Sequence, residues 1–265
     1  YLTKDMRAWV DKSESLNSDL IGRVIALGKS KHFVRSTLVN KYQGASSKPT
    51  TSSSHVFKLS DDKPSEVAKQ RGVHARPQLP RRCKIVVVGS STGGPAALQE
   101  ILTKLPANFP YPILLVQHMP NTFTSVFAER LNQQCAIEVK QAENGDKLRP
   151  GRALLAPGGK QMILDGHDKV SVLDGDQRLT YKPSVDVTYA SVAKQFKGES
   201  LAVILTGMGA DGRDGAKLLK AAGATVWAQS EATCTIYGMP QAVVKADAAD
   251  CIIDLKDFAK HLTGN

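Results

Sequence analysis

From residue 84 onward, apolar residues gather in runs of four or five, and between the runs they recur every three or four positions. Ile85-Val86-Val87-Val88 is β-branched, wholly apolar and ends at Gly89, the texture of a buried parallel strand. Residues 95–105 follow with helical spacing at Leu98, Ile101 and Leu102. Ile113-Leu114-Leu115-Val116 predicts a second buried strand, and residues 124–132 a second helix. After Pro150 the pattern shortens. Ala153-Leu154-Leu155-Ala156, Gln161-Met162-Ile163-Leu164 and Val170-Ser171-Val172-Leu173 are separated by Gly and Asp turns and predict a small antiparallel insertion. The strand–helix rhythm then returns: helix 185–195, strand 201–205, helix 215–222, strand 225–228, helix 240–245, strand 251–253 and a terminal helix. Alternation of this kind predicts an α/β fold, doubly wound, with a mostly parallel sheet covered by helices on both faces.

The N-terminal third reads differently. Leu16, Leu20, Ile21, Val24 and Ile25 have helical spacing within residues 1–29, behind possible caps at Ser13 and Ser15. Residues 30–81 have no sustained period and include Ser46-Ser47-Lys48-Pro49-Thr50-Thr51-Ser52-Ser53-Ser54, which predicts a flexible linker. Charge follows the same division. Residues 1–82 hold 16 Lys and Arg against 7 Asp and Glu, whereas residues 83–265 hold 19 against 18. Nearly all of the formal charge of +10 therefore sits in the N-terminal third, which reads as a solvated basic linker, and no nucleic-acid partner is expected. No apolar run reaches 18 residues, so no membrane insertion is expected. Cys83, Cys135, Cys234 and Cys251 lie far apart with no CxxC pair, which suits reduced thiols in a cytoplasmic protein and predicts no metal site. The chain begins at Tyr1 and not at Met, which suggests that a segment precedes it.

In an open parallel sheet, ligands bind beyond the carboxyl ends of the strands. Gly89-Ser90-Ser91-Thr92-Gly93-Gly94 follows the first strand, Gln117-His118-Met119-Pro120 the second, and Thr206-Gly207-Met208-Gly209-Ala210-Asp211-Gly212 the strand at 201–205. The first matches G-x-S-x-G between a strand and a helix, the setting of a nucleophile elbow. A Gly-rich turn there could instead cradle a phosphate, although the Walker lysine and the G-x-G-x-x-G spacing are both absent. Of six histidines, only His118 directly ends a buried strand. If the three strand ends converge, Ser91 is a nucleophile, His118 a general base and then acid, and Asp211 the group that orients the imidazole. The order Ser…His…Asp differs from that of α/β-hydrolases. The alternatives are a nucleotide-binding module and a non-catalytic scaffold whose basic linker contacts an acidic partner.

Residues 84–262 resemble the catalytic domain of the chemotaxis protein-glutamate methylesterase family, CheB. The resemblance is carried by the three strand-end motifs together with Ala156-Pro157-Gly158, Pro183-Ser184-Val185-Asp186-Val187 and Gly238-Met239-Pro240. It implies hydrolysis of glutamate γ-methyl esters on the cytoplasmic helices of chemoreceptors and deamidation of specific receptor glutamines, with no cofactor. It carries the family's catalytic serine, histidine and aspartate onto Ser91, His118 and Asp211. The backbone N–H of Thr92, next to the nucleophile, is the expected first oxyanion donor. Met208, within the 207–209 loop, is a candidate second. Residues 1–29 resemble the C-terminal end of a response-regulator receiver domain, with Lys4 as the lysine after its last strand and Asp5 where proline is typical. A missing receiver implies partnership with the chemotaxis histidine kinase. Its phosphoacceptor aspartate is not in this chain. The expected organisation is a receiver remnant over 1–29, a linker over 30–81 and a catalytic domain over 82–265.

Overall fold

Residues 77–176 and 178–264 are described by the computed structural model. The expectations for the receiver remnant, and for most of the linker, lie outside the described residues. β1 (Ile85–Ser90) is buried at every position, as is β2 (Ile113–Gln117). Among the described residues, seven strands form one sheet in the order β3 (Glu138–Gln141), β4 (Arg152–Leu155), β2, β1, β7 (Ser200–Ile204), β8 (Thr225–Gln229), β9 (Cys251–Ile253), and every pairing in it is parallel. β5 (Lys160–Asp165) and β6 (Lys169–Asp174) pair antiparallel as a separate hairpin.

One expectation is corrected here. The run at 153–156 belongs to the parallel sheet, between β3 and β2, and the antiparallel element is β5–β6 alone. Four apolar residues between turns cannot tell a parallel partner from an antiparallel one. β3 had no counterpart among the predicted strands. It lies at the sheet edge, where only Val139 is buried.

Alternation along the strands divides the core in two. Ile85 and Val87 of β1, Leu114 and Val116 of β2, and Ala202 and Ile204 of β7 face α3 (Val185–Phe196), α4 (Arg213–Ala221), α5 (Met239–Lys245) and the hairpin residues Met162 and Val170. Val86, Val88, Ile113, Leu115, Leu201 and Val203 face α1 (Gly94–Leu102), α2 (Asn121–Gln134) and α6 (Phe258–Thr263). Leu79 packs against this second cluster, and Lys84 N–H donates to Glu199 O at 2.7 Å. Among the described residues, no helix is long and apolar enough to cross a membrane. After β1 the chain moves outward to β2, whereas β7, on the other flank of β1, leads to β8. The carboxyl ends of β1 and β7 therefore border a topological switch point, where doubly wound sheets open a crevice.

Candidate active site

Parallel register sets the first two side chains beside each other. Ser90 pairs with Gln117, so Ser91 and His118 are the next residues on neighbouring strands. The buried Gln117 amide fastens them: its Nε2 donates to Ser91 O and to His118 O, both at 3.0 Å, while its Oε1 accepts the Ser90 hydroxyl at 2.7 Å. Ser91 N–H donates to Thr206 O at 3.0 Å, and Ser91 O accepts Gly94 N–H at 2.8 Å. The backbone of Ser91 is thus held from both flanking strands and from the turn into α1. That turn passes through Gly93 at φ +81°, a left-handed position where a side chain would also run into Thr235. The Ser91 hydroxyl has no hydrogen-bond partner among the described residues. It and His118 line one cleft of about 550 Å³ with Thr92, Met119, Phe123 and Arg130.

Asp211 arrives from the loop after β7 and is bound by elements distant in sequence. Its Oδ2 meets His118 Nε2 at 2.7 Å and accepts Val185 N–H at 2.7 Å. Its Oδ1 accepts the Ser184 hydroxyl and Asp186 N–H, both at 3.0 Å. Three of these four donors form the start of α3, where Ser184 is the N-cap, so the carboxylate lies at a positive helix end. Burial opposes ionisation of Asp211. The His118 hydrogen bond and charge, with the N–H groups of Asp186 and Val185, outweigh it and hold the carboxyl below the usual range. An ionised Asp211 holds a proton on His118 Nε2, and in the neutral ring Nδ1 is then the acceptor.

The structure therefore pairs His118 with Asp211 and brings Ser91 to the same cleft as His118; Ser91 and His118 are not hydrogen-bonded to each other. Of the two candidate oxyanion donors, neither Thr92 N–H nor Met208 N–H has a partner among the described residues. The Met208 loop lies against the serine, since a Cβ built on Gly207 would be 2.8 Å from Ser91 Cβ. Burial pushes the nearby Cys234 thiol up to about 11, which leaves it a poor nucleophile at neutral pH.

Two participants had no role in the sequence reading. Gln117 was legible as a polar residue closing an apolar strand. Ser184, immediately before the helix expected at 185–195, carries the signal of a helix N-cap, but nothing local shows that its hydroxyl turns to Asp211.

A doubly wound α/β sheet with Ser, His and Asp side chains at the carboxyl ends of β1, β2 and β7 defines the class. Within it, the chain belongs to the CheB methylesterase family, whose model matches residues 86–262. It is similar to protein-glutamate methylesterase/protein-glutamine glutaminase 2 of Pseudomonas fluorescens (strain Pf0-1), 63% identical over 179 residues, which cover 68% of this chain and 47% of that one. The corresponding protein 1 of Pseudomonas aeruginosa strain PAO1 is also 63% identical over 179 residues, covering 68% and 49%. The crystal structure of the Thermotoga maritima CheB methylesterase catalytic domain superposes with a TM-score of 0.65 at 39% identity, covering 69% of this chain and 98% of that one. The matched stretch spans about half the length of the curated relatives.

Proposed function

We propose that this chain carries the hydrolytic part of a protein-glutamate methylesterase and protein-glutamine glutaminase. Ser91 Oγ attacks the side-chain carbonyl carbon of a methylated glutamate or a glutamine, and its proton passes to His118 Nδ1. The tetrahedral oxyanion accepts hydrogen bonds from Thr92 N–H and Met208 N–H. Collapse breaks the bond to the leaving group, which takes the proton from His118 and departs as methanol or ammonia. Water, deprotonated by the same nitrogen, then cleaves the acyl-serine to give glutamate and free Ser91. Asp211 holds the ring in the tautomer that leaves Nδ1 open.

The observation that carries this reading is the hydrogen bond between His118 Nε2 and a buried, four-donor carboxylate, with Ser91 on the adjacent strand end. The substrates are esters and amides on the cytoplasmic helices of chemoreceptors, and the protein works in the cytoplasm. A protein substrate suits the apolar side chains exposed near the cleft, Phe123 at 59%, Val126 at 62% and Met208 at 65%. A receiver domain ahead of residue 1 would link the enzyme to a histidine kinase, with residues 30–81 as the linker and residues 82–265 as the catalytic unit.

Methanol release from methylated receptor membranes tests the reading. Ser91→Ala should lower the rate by about three orders of magnitude or more and leave thermal unfolding near that of the parent, as expected for removal of a nucleophile. A variant that keeps a tenth of the parent rate would refute the assignment.

A further inference from the structure

The Asp211 bond holds His118 at one nitrogen. A ring held at one point can still swing, because the histidine χ2 torsion is broad and roughly two-fold. Tyr181 supplies a second constraint. Its ring lies on the imidazole with centroids 4.4 Å apart and planes 4° from parallel. It is half-buried and does not line the cleft, so it covers the imidazole without obstructing Ser91. At its far end the hydroxyl reaches the loop that carries Met208 and Asp211. A Cβ built on Gly209, which has φ +93°, would stand 2.8 Å from Tyr181 Oη. Only glycine lets the loop and the tyrosine approach so closely.

The backbone of Tyr181 is fixed in turn by the hairpin. Gln161 of β5, 3% exposed, donates from Nε2 to Tyr181 O at 2.7 Å and accepts Ser184 N–H at Oε1 at 2.8 Å. One buried amide thus sets both the residue stacked on His118 and the residue that begins the Asp211 clamp. The hairpin is itself fastened to α3: Thr188 Oγ1 donates to Met162 O at 2.7 Å, and Leu164 N–H donates to Ser191 Oγ at 3.2 Å.

We propose that Tyr181, set in place by Gln161, is a positioning residue for the reaction: its ring fixes the plane of the His118 imidazole so that Nδ1 is presented toward Ser91, and the β5–β6 hairpin exists in part to carry it. The tyrosine face also favours the imidazolium formed as the serine proton is transferred. The inference rests on the reading of Ser91, His118 and Asp211 as the hydrolytic groups.

The test compares the parent chain with Tyr181→Leu, Tyr181→Phe and Gln161→Leu, by methanol release, thermal unfolding and nitrogen-15 NMR of the imidazole. Misplacement of a reacting group by about 1 Å can lower a rate about 100-fold. Tyr181→Leu should therefore lower kcat about 10- to 100-fold and leave KM within about twofold, since no ground-state contact with substrate is removed. Tyr181→Phe keeps the ring and should recover kcat to within about threefold of the parent. Gln161→Leu should reproduce the kcat loss with a lower Tm. In the NMR arm, the Nε2 proton shared with Asp211 should be sharp in the parent and broadened in Tyr181→Leu. Parent-like kcat in Tyr181→Leu, a Phe variant as poor as the Leu variant, or a loss confined to KM would each overturn the proposal. If the parent itself releases no methanol, the hydrolytic reading fails. The sharpness of the imidazole signal then still decides whether Tyr181 fixes the ring.

Discussion

On the Ser91–His118 side of the cleft, geometry comes from neighbouring strands: β1 and β2 run in register to Ser90 and Gln117, and the next residue on each is a site residue. On the Asp211 side, the carboxylate belongs to a loop after β7, yet all four of its donors come from elsewhere, His118 and residues 184–186. Strand register places Ser91 and His118, the proposed nucleophile and base. A helix N-terminus holds Asp211, the carboxylate bonded to His118. Damage to the first side should therefore remove a group or loosen its frame, whereas damage to the second should misdirect a group that is still present.

The largest expected effect on the second side follows from Asp211→Asn. Both carboxylate oxygens accept N–H donors, so an amide must turn its NH2 toward a backbone N–H whichever way it is placed. If the NH2 takes the Oδ2 position, it also faces His118 Nε2 and favours the tautomer protonated on Nδ1. A triad carboxylate changed in this way loses activity by about 10⁴, and a buried unsatisfied donor costs about 1–3 kcal/mol. Methanol release and calorimetry should show both losses together. Activity within tenfold of the parent would mean that Asp211 does not orient His118.

Ser90→Ala tests the first side. Ser90 is fully buried and donates to Gln117 Oε1, so its loss leaves that acceptor unsatisfied and weakens the clasp on Ser91 and His118. The expected result is a lower Tm, corresponding to about 1–3 kcal/mol, with activity reduced far less than by Ser91→Ala. A collapse of activity at unchanged Tm would move the nucleophile to Ser90.

This division also explains what the sequence made legible. Ser91 and His118 follow apolar β-branched runs, and residues just past buried strands must share one rim of the sheet. The same logic reached Asp211. It could not reach Tyr181, Ser184 or Gln161, because their contacts span 20 to 27 residues between irregular segments and a hairpin. β3 escaped notice for a related reason. Glu138-Val139-Lys140-Gln141 is an edge strand with one buried side chain, so it lacks the continuous apolar run that marks a central strand. The run at 153–156 is legible as a strand but carries no local mark of its sheet, because its partners are 40 residues upstream in β2 and a polar strand in β3.

A smaller effect should come from Ser184→Ala. The variant loses the hydroxyl donor to Asp211 and the N-cap of α3, while Val185 N–H and Asp186 N–H remain. Removing an N-cap serine costs about 1 kcal/mol. A fall in kcat of about three- to tenfold is expected, because two backbone donors still aim the carboxylate. A loss as large as that of Asp211→Asn would show that the hydroxyl, and not the helix end, governs Asp211.

The least effect on chemistry, and the sharpest test of how the second side is balanced, concerns Asp186. Its Oδ1 accepts Gly215 N–H at 2.7 Å, in the first turn of α4, while its own N–H serves Asp211. Each helix start thus receives a carboxylate from the segment that begins the other. Two carboxyls this close, Asp211 buried and Asp186 half-buried, cannot both ionise freely. Burial, and then the charge of Asp211, push Asp186 up to about 8, against the pull of Gly215 N–H. In the unfolded chain Asp186 would titrate near its ordinary 3.8. Between those values the folded protein binds more protons than the unfolded chain, so stability falls as pH rises through the window and levels above it. Asp211 acts in the opposite sense, adding stability above its unfolded value and losing it only in more acid solution. Asp186→Asn keeps an oxygen for Gly215 N–H and carries no charge. Its Tm should match the parent's at about pH 4 and below, already exceed it at about pH 5, and exceed it most by about pH 8, with kcat changed little. Calorimetry across that range at constant ionic strength measures the two slopes. Equal slopes would mean that Asp186 ionises normally and that Asp211 is held by the α3 end without an electrostatic contest behind it.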